Sequence, residues 1–344
     1  MRALVAITAS LLLLPLAACS DDETTTPTPS TSQTSTTTTA GAGGAGGSGG
    51  ALVGGAGGGG GAGGSGAQPL PIAYYDINQV LATGQSLSVG AQGSPTLTTQ
   101  QPFDNVMLSG GVAAVANLTD FVPLIEGVNP ARETMSSAFA NYVTKMAREQ
   151  VLLFQPMGEQ THDLLITLHG VGGTAYSGLK KGTKAYSNGM AQLAAGAAVS
   201  SGKMVSHIVR AVTTVHGESD HIAGNKNYEA NLVEWQQDYE ADVKAITKQS
   251  EPVPLFQTQM SSWTKYGQAR SAIVSAQLSA SENNPSAIIL VGPKYAIAYA
   301  ADGVHLTNEG YRHMGEYYAK AYRRVVLEGR VYKPVQPKAI TMAG

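Results

Sequence analysis

The chain has 344 residues, a formal net charge of −2 and a single cysteine, Cys19. A near-neutral balance without a basic stripe gives no electrostatic case for nucleic acid, and one cysteine excludes an internal disulfide, a thiolate zinc site and, at this position, a cysteine nucleophile. No internal repeat is visible.

Residues 1–18 carry one early positive charge, Arg2, then the apolar run LLLLPL and the ending Leu16-Ala17-Ala18 before Cys19. Such a segment reads as a secretory signal, because its apolar core is too short to span a bilayer. LAAC resembles the lipobox of bacterial lipoproteins, which implies a lipidated Cys19 as the mature N-terminus; the alternative is an incidental cysteine at an ordinary cleavage site. From Cys19 to Gln68 the chain is Thr-, Pro- and Gly-rich, and residues 41–66 hold 17 of the 41 glycines. A segment that buries so little apolar surface stays flexible, and as a Gly-rich coil it spans about 40 Å. Residues 69–344 remain as one domain with room for a sizeable core.

In that domain, short apolar runs at 79–83, 105–108, 164–169, 209–216, 252–259 and 287–292 read as buried strands. Between them, Met135, Ala138, Phe139, Tyr142, Val143 and Met146 fall on one face of a helix. Leu232, Tyr239, Val243 and Ile246 repeat the period less cleanly. Asn308 reads as the N-cap of a last helix whose apolar face is Tyr311, Met314, Tyr318, Ala321 and Val325. Continuous apolar strands alternating with helices predict an α/β fold, a mostly parallel sheet covered on both faces, with ligands at the C-terminal ends of the strands.

Four stretches that follow the predicted strands carry the chemistry. Gly84-Gln85-Ser86 leaves the first strand through a glycine, so Ser86 is either a nucleophile at the sheet edge or a plain helix cap, with Ser88 a competing hydroxyl. HGVGGTAY, at 169–176, has glycines that let backbone N–H groups approach a substrate, and it matches neither a P-loop nor a dinucleotide fingerprint. VHGESDH, at 215–221, packs His216, Glu218, Asp220 and His221 together; a metal site, a polar loop and part of an ester-hydrolase site are all open for it. DGVHLTNEG, at 302–310, offers Asp302 and His305, a carboxylate and an imidazole three residues apart. A hydrolytic serine needs both, one to take its proton and one to hold the imidazole's tautomer.

Taken in order, Gly84-Gln85-Ser86, Val171-Gly172-Gly173-Thr174, His216-Gly217-Glu218-Ser219 and Asp302-x-x-His305 resemble the SGNH hydrolase superfamily, specifically its sialate O-acetylesterase-like carbohydrate esterases. The resemblance implies a three-layer α/β/α, flavodoxin-like fold and no metal or organic cofactor. It implies Ser86 as nucleophile, His305 as general base and Asp302 as its orienting carboxylate. The oxyanion hole it implies draws on the N–H of Ser86, an N–H at Gly173 or Gly172, and a side-chain donor at position 216, with Gln85 and Glu218 supporting. The family carries Gln at that position and this chain carries His216, whose ring N–H also donates. The expected activity is removal of acetyl or other short acyl groups from carbohydrate, with an acylated carbohydrate as partner, the membrane engaged through Cys19 and no protein partner. Two alternatives stay open: an esterase or lipase of non-carbohydrate esters, and a lipid-anchored carbohydrate-binding protein without useful turnover. The expected location is the bacterial cell envelope, at the outer membrane or cell surface.

Overall fold

The computed structural model describes residues 73–154, 162–336 and 341. The signal, linker and Cys19 expectations fall on residues 1–68 and lie outside the described residues. Among the described residues the strands are β1 (Ile77–Gly84), β2 (Val106–Leu108), β3 (Phe121–Pro123), β4 (Leu164–Leu168), β5 (His207–Val215), β6 (Leu255–Gln259) and β7 (Ile288–Pro293). They form one sheet in the order β3-β2-β4-β1-β5-β6-β7, parallel throughout except for the antiparallel pair β2–β3.

The helices are α1 (Ser136–Phe154), α2 (Lys184–Gly202), α3 (Glu218–Ile222), α4 (Tyr228–Thr247), α5 (Ala272–Asn283) and α6 (Asn308–Tyr322). One apolar cluster joins α1 and α6 to one face of the sheet through Phe139, Val143, Met314 and Tyr318. A second joins α2, α4 and α5 to the other face through Leu193, Trp235, Tyr239 and Ile273. The result is three layers. Each fully buried aromatic or aliphatic side chain contributes roughly 1.5–3 kcal/mol of transfer free energy, so the two clusters fix the sheet between its helices.

Each of the six apolar runs overlaps a strand, with boundaries that differ. β6 begins at Leu255, not 252, because Pro252 and Pro254 cannot donate to a ladder. The N-cap of α6 is Thr307, whose hydroxyl accepts from the Gly310 N–H at 3.0 Å; Asn308 is instead the first helical residue. Val325 lies beyond α6 in a π-helical turn, Arg323–Leu327. Ile246 is 38% exposed, while Leu232, Tyr239 and Val243 of α4 are buried.

β1 is central, and after β4 the chain crosses to its other side to form β5. Open α/β sheets hold ligands at such a switch point, beyond the C-terminal end of the strand, here β1.

Candidate active site

β1 stays hydrogen bonded to both neighbours up to its last residue. The Gly84 carbonyl accepts from the Val171 N–H at 2.9 Å, and the Gln85 N–H donates to the Val215 carbonyl at 3.2 Å. Only glycine fits at position 84: φ is +122°, and a Cβ there would lie 2.3 Å from the Val215 carbonyl oxygen. The chain then turns, with Ser88 N–H on the Gln85 carbonyl at 2.8 Å and Ala91 N–H on the Ser86 carbonyl at 3.0 Å. Ser86 therefore stands half-buried just past the C-terminal end of β1.

The loop before α6 reaches over to meet it. His305 Nε2 lies 2.8 Å from Ser86 Oγ, and His305 Nδ1 lies 2.7 Å from Asp302 Oδ2. The other Asp302 oxygen accepts the backbone N–H groups of Val304 and His305, each at 2.9 Å. Partial burial pushes the Asp302 carboxyl up, but the His305 ring and these two N–H groups outweigh it and hold it below the usual carboxylate range. A carboxylate only accepts, so Nδ1 carries the ring proton and Nε2 is left to accept the Ser86 O–H. Ser88 is placed differently. It is buried, and its hydroxyl donates to the Gln85 carbonyl at 2.7 Å.

Gln85 and Glu218 form a buried support beneath this chain of bonds. Gln85 Nε2 donates to Glu218 Oε2 at 2.8 Å, and Gln85 Oε1 accepts the Ser219 N–H at 3.1 Å. Glu218 Oε1 accepts from Ser262 Oγ at 3.2 Å and lies 3.6 Å from the Lys294 ammonium. Lys294, fully buried, also donates to the Gln259 carbonyl at 3.2 Å. Burial lowers its pKa, and the Glu218 charge opposes that shift. Sequence reasoning passed over Lys294 and Ser262; the available signal was a lysine directly after the apolar run of β7.

Gly172 lies against Ser86, where a Cβ built on it would sit 3.9 Å from the Ser86 Cα and Cβ. Gly173 has φ +68°, with nothing within 4 Å of a built Cβ. Among the described residues, the N–H groups of Ser86, Gly172 and Gly173 donate to no protein acceptor.

His216 departs from the expectation that it donates to an oxyanion. Its side chain is 0% exposed. Nε2 donates to the Thr174 carbonyl at 3.0 Å, and Nδ1 accepts the Tyr228 O–H at 2.7 Å. Both ring nitrogens are thus committed inside the protein, leaving no N–H for a substrate. Burial pushes the imidazole below its ordinary value, against the opposing pull of Asp220 and the Thr174 carbonyl. The metal alternative for 215–221 finds no converging ligands: His221 Nδ1 lies 3.0 Å from Ser271 Oγ, Asp220 accepts from Tyr176 N–H, and no three His, Cys, Asp or Glu among the described residues could hold one ion.

Residues 135–324, more than half of the chain, match the carbohydrate esterase family described as sialic acid-specific acetylesterases. The chain belongs to that family. It is a carboxylic ester hydrolase whose family acts on the acetyl groups of carbohydrates. The match begins after Ser86, so Asp302 and His305 lie within it and the serine outside. Among solved structures, a protein of Arabidopsis thaliana is 20% identical, with a TM-score of 0.52 over 71% of this chain and 97% of its own. The protein NanS is 13% identical, with a TM-score of 0.51 over 73% of this chain and 98% of its own. At such identities the likeness is one of fold. No curated protein matches the chain.

Proposed function

We propose that this esterase removes O-acetyl groups from carbohydrate by a serine mechanism, with Ser86 as nucleophile, His305 as base and Asp302 as the group that orients it. The observation that carries the reading is the unbroken chain Asp302–His305–Ser86, at 2.7 Å and 2.8 Å. Ser86 Oγ attacks the ester carbonyl carbon while its proton passes to His305 Nε2, and Asp302 stabilises the imidazolium through Nδ1–H. The negative charge that forms on the carbonyl oxygen is met by the backbone N–H of Ser86 and of Gly172 or Gly173. Collapse expels the sugar alkoxide, which takes the proton from Nε2 and leaves as alcohol. A water then repeats the sequence on the acetyl-Ser86 ester and releases acetate.

The test is a panel of acetylated monosaccharides, acetylxylan and aryl esters of increasing acyl length. Acetyl sugars turned over faster than aryl or long-chain esters support the reading. A preference for long acyl chains moves the enzyme to the lipases, and binding of sugars without acetate release leaves a carbohydrate-binding protein.

We also propose, from Leu16-Ala17-Ala18-Cys19 and the long linker after it, that a lipid on Cys19 holds the enzyme at a bacterial cell envelope. Wild type should then partition with membranes while Cys19→Ala is released or fails to mature. Equal solubility of the two outside the cell removes the anchor.

A further inference from the structure

His216 has a different task from the one its position in the sequence suggests. The segment that carries Gly172 and Gly173 is held at two points. On one side, the Val171 N–H is bonded to the Gly84 carbonyl at 2.9 Å, at the end of β1. On the other, the Thr174 carbonyl accepts from His216 Nε2 at 3.0 Å, and the Tyr176 N–H donates to Asp220 Oδ2 at 2.8 Å. Between these anchors are two exposed glycines, and nothing lies within 4 Å of a Cβ built on Gly173. No side chain of their own can aim their N–H groups. Beside a 3.3 Å bond from the Thr174 hydroxyl to the Gly172 carbonyl, the anchors do so.

The His216 anchor is built to be rigid. The Thr174 carbonyl only accepts, so Nε2 carries the ring proton and Nδ1 accepts the Tyr228 hydroxyl. The ring is stacked on Tyr228, with centroids 5.7 Å apart, and meets the edge of Trp235 at 5.4 Å. Asp220 Oδ2, 3.5 Å from Nε2, is held in turn by Asn225 Nδ2 at 2.6 Å on its other oxygen.

The geometry points to His216 as a positioning residue: through the Thr174 carbonyl, and with its other ring nitrogen held by Tyr228, it aims the Gly172–Gly173 N–H groups at the oxygen that becomes charged during ester hydrolysis. The inference rests on the proposed serine mechanism. It assigns His216 an action one residue removed from the substrate. Such a role shows in the transition state and not in ground-state binding.

The test uses the full chain and a phosphonate ester that labels the active serine, so that turnover is counted per labelled Ser86. His216→Ala should lower kcat per labelled site by about 10- to 100-fold, the usual cost of losing a group that orients another. KM for a small acetyl ester should move by less than about threefold. Tyr228→Phe keeps the ring stacking but removes the bond that holds Nδ1, so it should lower kcat in the same sense by a smaller factor; it also serves if His216→Ala fails to fold. In wild type, nitrogen NMR of the His216 ring should show the neutral Nε2–H form, unmoved when Ser86 carries the phosphonate. Unchanged kcat per labelled site, with only a lower melting temperature, overturns the inference and leaves His216 a packing residue. So does an Nδ1–H tautomer, or a ring signal that shifts on labelling, which marks direct contact with the oxyanion. If the phosphonate labels no Ser86, the serine mechanism fails and this inference with it, and the label itself tells the two failures apart.

Discussion

Two short segments at the C-terminal edge of one sheet each set a histidine beside an aspartate, and they do opposite things with it. In 302–305 the Nδ1–Asp302 distance is 2.7 Å, the two side chains are 22% and 38% exposed, and the second ring nitrogen faces Ser86. In 216–220 the Nε2–Asp220 distance is 3.5 Å, the side chains are 0% and 3% exposed, and both ring nitrogens are taken by Thr174 and Tyr228. The residue types are the same. What separates them is whether a ring nitrogen is left for a group that must gain and lose a proton, and burial among aromatic rings removes that option.

The sharpest way to break this contrast is to delete the proposed proton relay. Ser86→Ala and His305→Ala should each lower kcat on an acetyl ester by a factor on the order of 10⁶, and Asp302→Asn by about 10⁴. The three losses should not add, because the groups act as a unit. Asp220→Asn, which leaves the relay intact, should cost far less. If Asp220→Asn proved as damaging as Asp302→Asn, the division of roles between the two segments would be wrong.

The sequence carries the architecture well and side-chain direction badly. Apolar runs read as strands at every strand except β3, a three-residue antiparallel strand whose own apolar stretch, FVPLI, is interrupted by Pro123. Two helices also leave no clear period: α2 (KAYSNGMAQLAAGAAVSSG) and α5 (AIVSAQLSASEN) are rich in Ala, Gly and Ser, so their faces differ little in polarity. Asp302 and His305 can be paired from spacing, since a turn three residues long brings them together. His216 cannot be placed that way. A residue at a strand end can aim its ring outward or inward, and here the aromatic partners Tyr228 and Trp235, distant in sequence, turn it inward. Lys294 is hidden for the same reason, its partner Glu218 lying on another element.

The buried support offers the next largest effect. Glu218 has Lys294 as counter-ion, both nearly free of solvent. Glu218→Gln leaves the ammonium without a counter-charge and should destabilise the fold by about 3–5 kcal/mol in urea unfolding. Adding Lys294→Met should restore most of that stability while activity stays low, because the Gln85 side chain has still lost its carboxylate partner. A double variant no more stable than Glu218→Gln alone would mean that the charge pair is not what is being measured.

Glu126 is a buried carboxyl of the other kind, bonded to Thr134 and Ser137 without a cation. Burial, with the Glu133 charge adding to it and the N–H groups opposing, pushes its pKa up to about 7 from 4.5. A raised acid favours the protonated fold, so its contribution is full below pH 4.5 and is lost as pH rises through 7. The loss is on the order of 3 kcal/mol. His162, His169 and His207, lowered by burial to about 3, 4 and 4, act in the opposite sense on acidification. The comparison is therefore wild type minus Glu126→Gln, and that difference should fall between pH 4.5 and 7. A flat difference refutes the buried, uncompensated carboxyl.

The smallest effect separates two hydroxyls two residues apart. Ser86 offers its proton to His305, whereas Ser88 has spent its own on the Gln85 carbonyl, 2.7 Å away inside the turn. Ser88→Ala removes one buried hydrogen bond, which costs about 1 kcal/mol. The Gln85 carbonyl is not orphaned, since it keeps the N–H groups of Ser88 and Val89 at 2.8 Å and 3.3 Å. That puts the cost at the low end, a shift of a few degrees in melting temperature at most. The turn that presents Ser86 is held by those backbone bonds and not by the Ser88 hydroxyl, so kcat and KM should both stay near wild type. Near-normal turnover in Ser86→Ala together with a collapse in Ser88→Ala would exchange the two assignments, and with them the meaning of the 2.8 Å contact to His305.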